Sequence, residues 1–162
     1  MAHLDFWEHL PKKRIATGAI LRNKNGEILA VKQMRSNSWV MLGGTVESGE
    51  SPRAACIREI QEEVGLEVPI GRLLCVDYNS ETDAGHPHES IKFVFDGGII
   101  SEREIKSIRV QDGEIAEYGF FSRDEALAHV RQHGEPLARR VEYALEALEK
   151  DTIIYLENGV RI

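Results

Sequence analysis

A chain of 162 residues, 42% hydrophobic and 29% charged, has the size and make-up of one soluble domain with a real core and little room for a second. Its formal charge of −7, with no basic block, argues against a nucleic-acid backbone as principal ligand, and no apolar run is long enough to span a bilayer. Cys56 and Cys75 stand apart in apolar segments, outside any metal or disulfide spacing, which predicts reduced core thiols in a cytoplasmic protein.

Residues 1–13 carry Leu4, Phe6, Trp7 and Leu10 between polar residues and reach Pro11. They read as a short helix or arm docked on the domain or on a second subunit, so a homodimer stays open, and they lack the continuous apolar core of a secretory signal. Arg14 to Leu21 and Ile28 to Val31 flank Asn25-Gly26, which predicts a hairpin. Lys32, Arg35 and Trp39 then lead to Gly43-Gly44. The two cations are candidates for substrate phosphates, with solvated loop charge as the ordinary alternative.

The run Gly44 to Leu66, GTVESGESPRAACIREIQEEVGL, is the most informative stretch. Ser51 is a good helix cap, Pro52 suits a first turn and Gly65 a helix end. At helical spacing Ile57, Ile60 and Val64 share one face while Glu59, Glu62 and Glu63 crowd on the other. Two such charges about 5 Å apart repel by roughly 3 kcal/mol at an effective dielectric near 20. A hard divalent cation, Mg2+ with Mn2+ as substitute, turns that repulsion into binding. The bland alternative is a solvated acidic face with an Arg58–Glu62 pair.

Beyond this helix, Ile70 to Tyr78 and Ser90 to Phe95 read as strands joined by a polar loop, Asn79 to Glu89, a candidate lid over substrate. His86 and His88 in that loop lack a third metal partner at recognisable spacing. Ser107 to Val110 is predicted as a short strand and Tyr118 to Phe121 as an aromatic one. A helix follows from Ser122, then a longer one over Pro136 to Lys150 with Leu137, Val141, Leu145 and Leu148 at helical spacing. Thr152 to Tyr155 and Gly159 to Ile162 make a terminal hairpin. Tyr78, Phe93 and Phe121 are either base-stacking or core aromatics.

The spacing from Gly44 is G-x5-E-x7-R-E-U-x-E-E-x-G-U, where U is aliphatic, through Glu50, Arg58, Glu59, Ile60, Glu62, Glu63, Gly65 and Leu66. It resembles the signature of the Nudix hydrolases at every defined position. The resemblance implies an α/β fold, an α/β/α sandwich around a mixed β-sheet with a loop-helix-loop catalytic motif, as one domain over 1–162. It implies Mg2+-dependent hydrolysis of a phosphoanhydride bond, by activated water, in a nucleoside diphosphate linked to another moiety. The metal ligands would be Glu59, Glu62, Glu63 and the Gly44 carbonyl, with Arg58 orienting them, Glu50 bracing the loop and Gly65 turning the chain. A general base outside the signature is expected at Glu114, then Glu117, with Glu59 third; Lys32, Arg35, Trp39 and Tyr78 are the substrate-binding candidates. Leu42 stands where similar proteins commonly have proline, which predicts a less rigid loop. A non-catalytic nucleotide or ADP-ribose sensor is the alternative function, and an isopentenyl-diphosphate-type isomerase lacks its cysteine and histidine sites here. The substrate is a small molecule that the signature does not choose.

Overall fold

The sheet grows outward from β1 (Arg14–Arg22), whose alternation sends Ala19 and Leu21 to one face and Ile20 to the other, all three buried. This computed structural model describes residues 9–80 and 89–162. On one edge β1 pairs in parallel with β6 (Ser90–Ile99). Its other edge is shared. β4 (Gly43–Thr45) takes Ala16 to Gly18 in antiparallel register, and β2 (Ile28–Gln33) meets β1 only at Arg22–Ile28.

The predicted hairpin therefore exists at its turn, where the Asn23 side chain accepts from the amides of Asn25 and Glu27, and then opens. β2 leaves β1 to pair with β3 (Trp39–Val40) and β7 (Ile115–Phe121). Beyond β6 lie β5 (Leu73–Asn79), β8 (Ile154–Glu157) and β9 (Val160–Arg161), giving a nine-stranded mixed sheet. The terminal hairpin is real, turning through Asn158 and Gly159 at positive φ, and β8 joins the sheet by parallel pairing with β5.

Helix α1 (Pro52–Val64) packs Cys56, Ile60 and Val64 on the face carrying Leu21, Leu29 and Val31. On the opposite face α3 (Arg123–His133) and α4 (Glu135–Glu149) bury Ala126, Val130, Val141 and Leu145 against Ile20, Leu74 and Val94. This is the expected α/β/α sandwich. Two details differ from the sequence reading. Ile57 is 37% exposed, because the buried stripe of α1 runs through Cys56, not Ile57. Ser107 to Val110 is not a strand: α2 (Glu102–Ser107) takes its first residue, and the chain after it docks on the end of α1. There Arg109 and Gln111 donate their amides to the carbonyls of Val64 and Glu63 at 3.0 Å each, which satisfies helix-end acceptors that would otherwise be left open.

Leu42 is fully buried, so its side chain anchors the loop before the glycine pair from within the core. Both cysteines are free and buried, and burial pushes their thiols up to about 11 for Cys56 and about 12 for Cys75, leaving them unreactive. Among the described residues no helix is long and apolar enough to cross a membrane. Most of the N-terminal arm, and the 81–88 part of the candidate lid with His86 and His88, lie outside the described residues.

Candidate active site

Helix α1 is fixed at both ends as its sequence predicts. Ser51 Oγ accepts from the Ala54 amide at 3.2 Å, and Gly65, at φ 72°, closes the helix in the left-handed region that a side chain would resist. Arg58 then ties helix to loop. Its Nη2 and Nε donate to the two oxygens of Glu50 at 2.7 and 3.2 Å, Nη2 also reaches the Thr45 carbonyl, and Nη1 donates to Glu59 and Glu62 at 3.0 Å each. Glu50 in turn accepts from the Glu47 amide at 2.7 Å, and the guanidinium beside it holds its carboxyl below the usual range.

The three signature glutamates sit in different surroundings. Glu62 is exposed, Glu59 is partly covered, and Glu63 is only 5% exposed, its Oε2 accepting from the Gly43 amide at 2.9 Å. Burial pushes the Glu63 carboxyl up to about 8, with the charges of Glu59, Glu114 and Glu62 adding to it and the Gly43 hydrogen bond opposing. Burial likewise raises Glu59, against the pull of Arg58. Glu114, in the turn before β7, acts electrostatically on both Glu59 and Glu63, so the fold brings it to the cluster from 51 residues beyond Glu63 (114 − 63). Glu117 instead pairs with Lys32 at 3.1 Å.

Both glycines stand where a side chain would collide, Gly43 with backbone and Gly44 with the end of the Glu59 side chain. A Cβ on Gly44 would lie 2.3 Å from Cδ of Glu59, and one on Gly43, at φ 143°, would lie 2.1 Å from the Thr17 carbonyl oxygen. Among the described residues no three His, Cys, Asp or Glu side chains are arranged to hold a metal ion as they stand. The reason is visible: Arg58 takes an oxygen from Glu59 and another from Glu62, and Glu63 is turned to Gly43. The donor chemistry fits a hard divalent cation all the same. Every candidate donor is oxygen, the carboxyls of Glu59 and Glu63 are both raised by burial and by neighbouring carboxylates, and the absent Cβ of Gly44 is what lets the Glu59 carboxylate lie against the loop.

Gly43, Gly44 and Thr45 also form one wall of a cavity of about 360 Å³ between β1, β6 and α4. The same short strand thus faces the carboxylates and the cavity. Phe93 lines this cavity, whereas Lys32, Arg35, Trp39 and Tyr78 do not. Lys32 is held by Glu117, Arg35 lies exposed in the turn after β2, Trp39 packs edge-on to Phe121 with ring centroids 4.8 Å apart, and the Tyr78 hydroxyl donates to Glu89. The charged residues that do line the cavity are Arg14, Lys92 and Arg140. Lys92 and Asp77 are charges flanked on both sides by apolar or aromatic residues within their strands, and Arg140 lies among the core positions of α4; that misplacement of charge is the sequence signal that marks them.

A sandwich whose glycine pair carries a glutamate-lined loop-helix-loop to a cavity wall defines a recognisable class of fold. The family model for the NUDIX domain matches residues 12–141, and the chain belongs to that family. An RNA pyrophosphohydrolase of Acinetobacter baylyi is 45% identical over 49 residues, 30% of each chain. The Mus musculus diphosphoinositol polyphosphate phosphohydrolase 3-alpha is 34% identical over 84 residues, 51% of this chain and 49% of that one. The match thus spans half or less of these relatives' length. Among solved structures, a MutT NUDIX hydrolase from Burkholderia pseudomallei is 27% identical with a TM-score of 0.61, covering 83% of this chain and 97% of the other.

Proposed function

We propose that this protein is a Mg2+-dependent hydrolase that cleaves a phosphoanhydride bond in a nucleoside diphosphate linked to another moiety. The observation that carries this reading is the shared wall: Gly43 to Thr45 present Glu59 and Glu63 on one side and a nucleotide-sized cavity on the other. Relatives named as pyrophosphohydrolase and phosphohydrolase support the reaction class.

Glu59, Glu62, Glu63 and the Gly44 carbonyl would hold Mg2+, or Mn2+ in its place. Bound there, the ion would neutralise phosphate charge and lower the pKa of water. Arg58 is the positioning residue, since it joins Glu50, Thr45, Glu59 and Glu62 in one network. Glu114 accepts the proton as water oxygen bonds to phosphorus; the bridging P–O bond breaks and its electron pair leaves with the departing phosphate. Glu117 is the weaker candidate for this base because Lys32 occupies it. Lys32 and Tyr78 lie off the cavity and already have side-chain partners, so the substrate contacts fall to the cavity residues instead.

A panel of nucleoside diphosphate derivatives incubated with Mg2+ tests the reading. Release of a phosphorylated product, abolished by Glu62→Gln and by Glu63→Gln, is expected. Folded protein that turns over no member of the panel, with Mn2+ also tried, refutes it; ligand-induced stabilisation without product would instead favour the sensor.

A further inference from the structure

Farther along β1 from the glycine pair, the cavity is lined by Arg14, Lys92 and Arg140, and no Asp or Glu lines it among the described residues. This is a local reversal of sign in a chain of net charge −7. Arg140, buried on α4, donates through Nε to Asp77 at 2.8 Å and through Nη2 to Asn79 at 3.1 Å, and the second Asp77 oxygen is taken by the Gly159 amide. The side chains of Arg14 and Lys92 have no ion-pair or hydrogen-bond partner among the described residues.

Unmet donors continue behind them. Asn79 Nδ2 and Ser90 Oγ are buried without a partner among the described residues. Register sets them beside the cations, since Ser90 pairs with Arg14 across β1 and β6 and with Asn79 across β5 and β6. The Arg14 guanidinium, the Lys92 ammonium, the Asn79 amide NH2 and the Ser90 hydroxyl have no protein acceptor among the described residues, and they lie beside an Arg140 whose charge is met by Asp77. Burial pushes Lys92 down to about 8, with Arg140 and Arg14 adding to the effect and Asp77 opposing it, so the existing counter-charge is too small. A strand rises about 3.3 Å per residue, which puts Arg14 roughly 10 Å along β1 from Thr17, the partner of Gly44. A nucleoside fills such a span.

We propose that this end of the cavity binds a phosphoryl group remote from the scissile anhydride, so that the preferred substrates are nucleoside diphosphate derivatives carrying a further phosphate. As a statement about substrate this rests on the hydrolysis proposed above; as a statement about binding it stands on the cavity alone.

Two measurements test it, the first independent of turnover. In EDTA, inorganic phosphate is titrated by calorimetry into the protein and into its Lys92→Met and Arg14→Gln variants, which should fold because neither side chain holds another described residue. Phosphate should bind the wild type, each variant should weaken it by about 10-fold, and acetate should bind at least about 10-fold more weakly, as expected for charge-assisted recognition of a multiply charged oxyanion. No phosphate binding by the wild type, or unchanged binding in both variants, overturns the site. In the second, kcat/KM is compared within matched pairs, NADPH with NADH and coenzyme A with dephospho-coenzyme A. The member with the added phosphate should lead by about 10-fold, mainly through KM, and Lys92→Met should bring the ratio near one. A wild-type ratio near one overturns the substrate assignment. Intact phosphate binding with no turnover of either pair overturns the substrate assignment and leaves an anion site on its own.

Discussion

Glu63→Gln should abolish metal-dependent activity and yet stabilise the metal-free protein at high pH. In the folded chain burial raises the Glu63 carboxyl from 4.5 to about 8. A folded-state pKa above the unfolded one gives stability that is fully present below about 4.5 and is lost as pH rises through about 8. At about 1.4 kcal/mol per decade of proton affinity, the full loss is on the order of 5 kcal/mol. Glutamine cannot ionise, and its amide oxygen can still accept the Gly43 hydrogen bond, so the variant escapes that loss.

Scanning calorimetry in EDTA reads the difference directly. Near pH 5 the two proteins should melt together, and near pH 9 the variant should melt higher by roughly 10 °C, since 1 kcal/mol is worth about 2–4 °C in a chain of this size. Added Mg2+ should close the gap by stabilising only the wild type. A melting difference that does not change with pH, or a variant less stable than wild type near pH 9, would refute the reasoning. Either result would mean that Glu63 is ionised in the metal-free fold without cost.

The glycine pair separates structure from chemistry. Gly43→Ala places Cβ 2.1 Å from backbone that cannot move and at an unfavourable φ, so urea denaturation should show a loss of roughly 3 kcal/mol or more. Gly44→Ala meets only the movable end of Glu59, so the melting point should change little while kcat falls about 100-fold through displacement of that carboxylate. Arg58→Lys cannot reproduce the fork onto Glu50 together with the Thr45 contact, and kcat should fall by about 10-fold or more with the fold retained. Asp77→Ala leaves Arg140 buried without its counter-charge, and chemical denaturation should register a loss of roughly 3–5 kcal/mol.

What could be read from the chain was local. Ser51, Pro52 and Gly65 define α1 by capping rules that involve neighbours within one turn, and Ser122 starts α3 with a reciprocal box to Glu125. Helical spacing was also enough to gather Glu59, Glu62 and Glu63. It was not enough to show that they are unequal. The burial of Glu63 depends on how α1 is rotated against β1 and β4, and the seam through Cys56 differs from the one through Ile57 by a fraction of a turn that apolar spacing does not resolve. Ser107 to Val110 looked like a strand because its apolar residues alternate, but the Ile108 amide turns back to Ile105 and the Arg109 amide is claimed by the end of α1. Lys32, Arg35 and Trp39 were chosen for nearness in sequence to the glycine loop, and Tyr78 as an aromatic able to stack on a base. The cavity residues come from β1, β6 and α4 and meet only through parallel pairing and helix packing.

The arrangement of charge follows from this division of labour. The acidic cluster comes almost entirely from one continuous helix, so a short signature can encode it, and its mutual repulsion is tolerated because Arg58 lies among the same residues. The basic cluster needs three elements far apart in the chain, and Asp77 neutralises only part of it. Both clusters are costly to the folded protein alone, one through the buried Glu63 carboxyl beside Glu59 and the other through a half-buried lysine and unmet donors. A ligand that brings a cation to the first and a phosphate to the second would relieve both together. Glu63→Gln above about pH 8 and Lys92→Met below about pH 8 should therefore raise the stability of the ligand-free chain while lowering its affinity for what it binds, a pairing that ordinary surface charges would not produce.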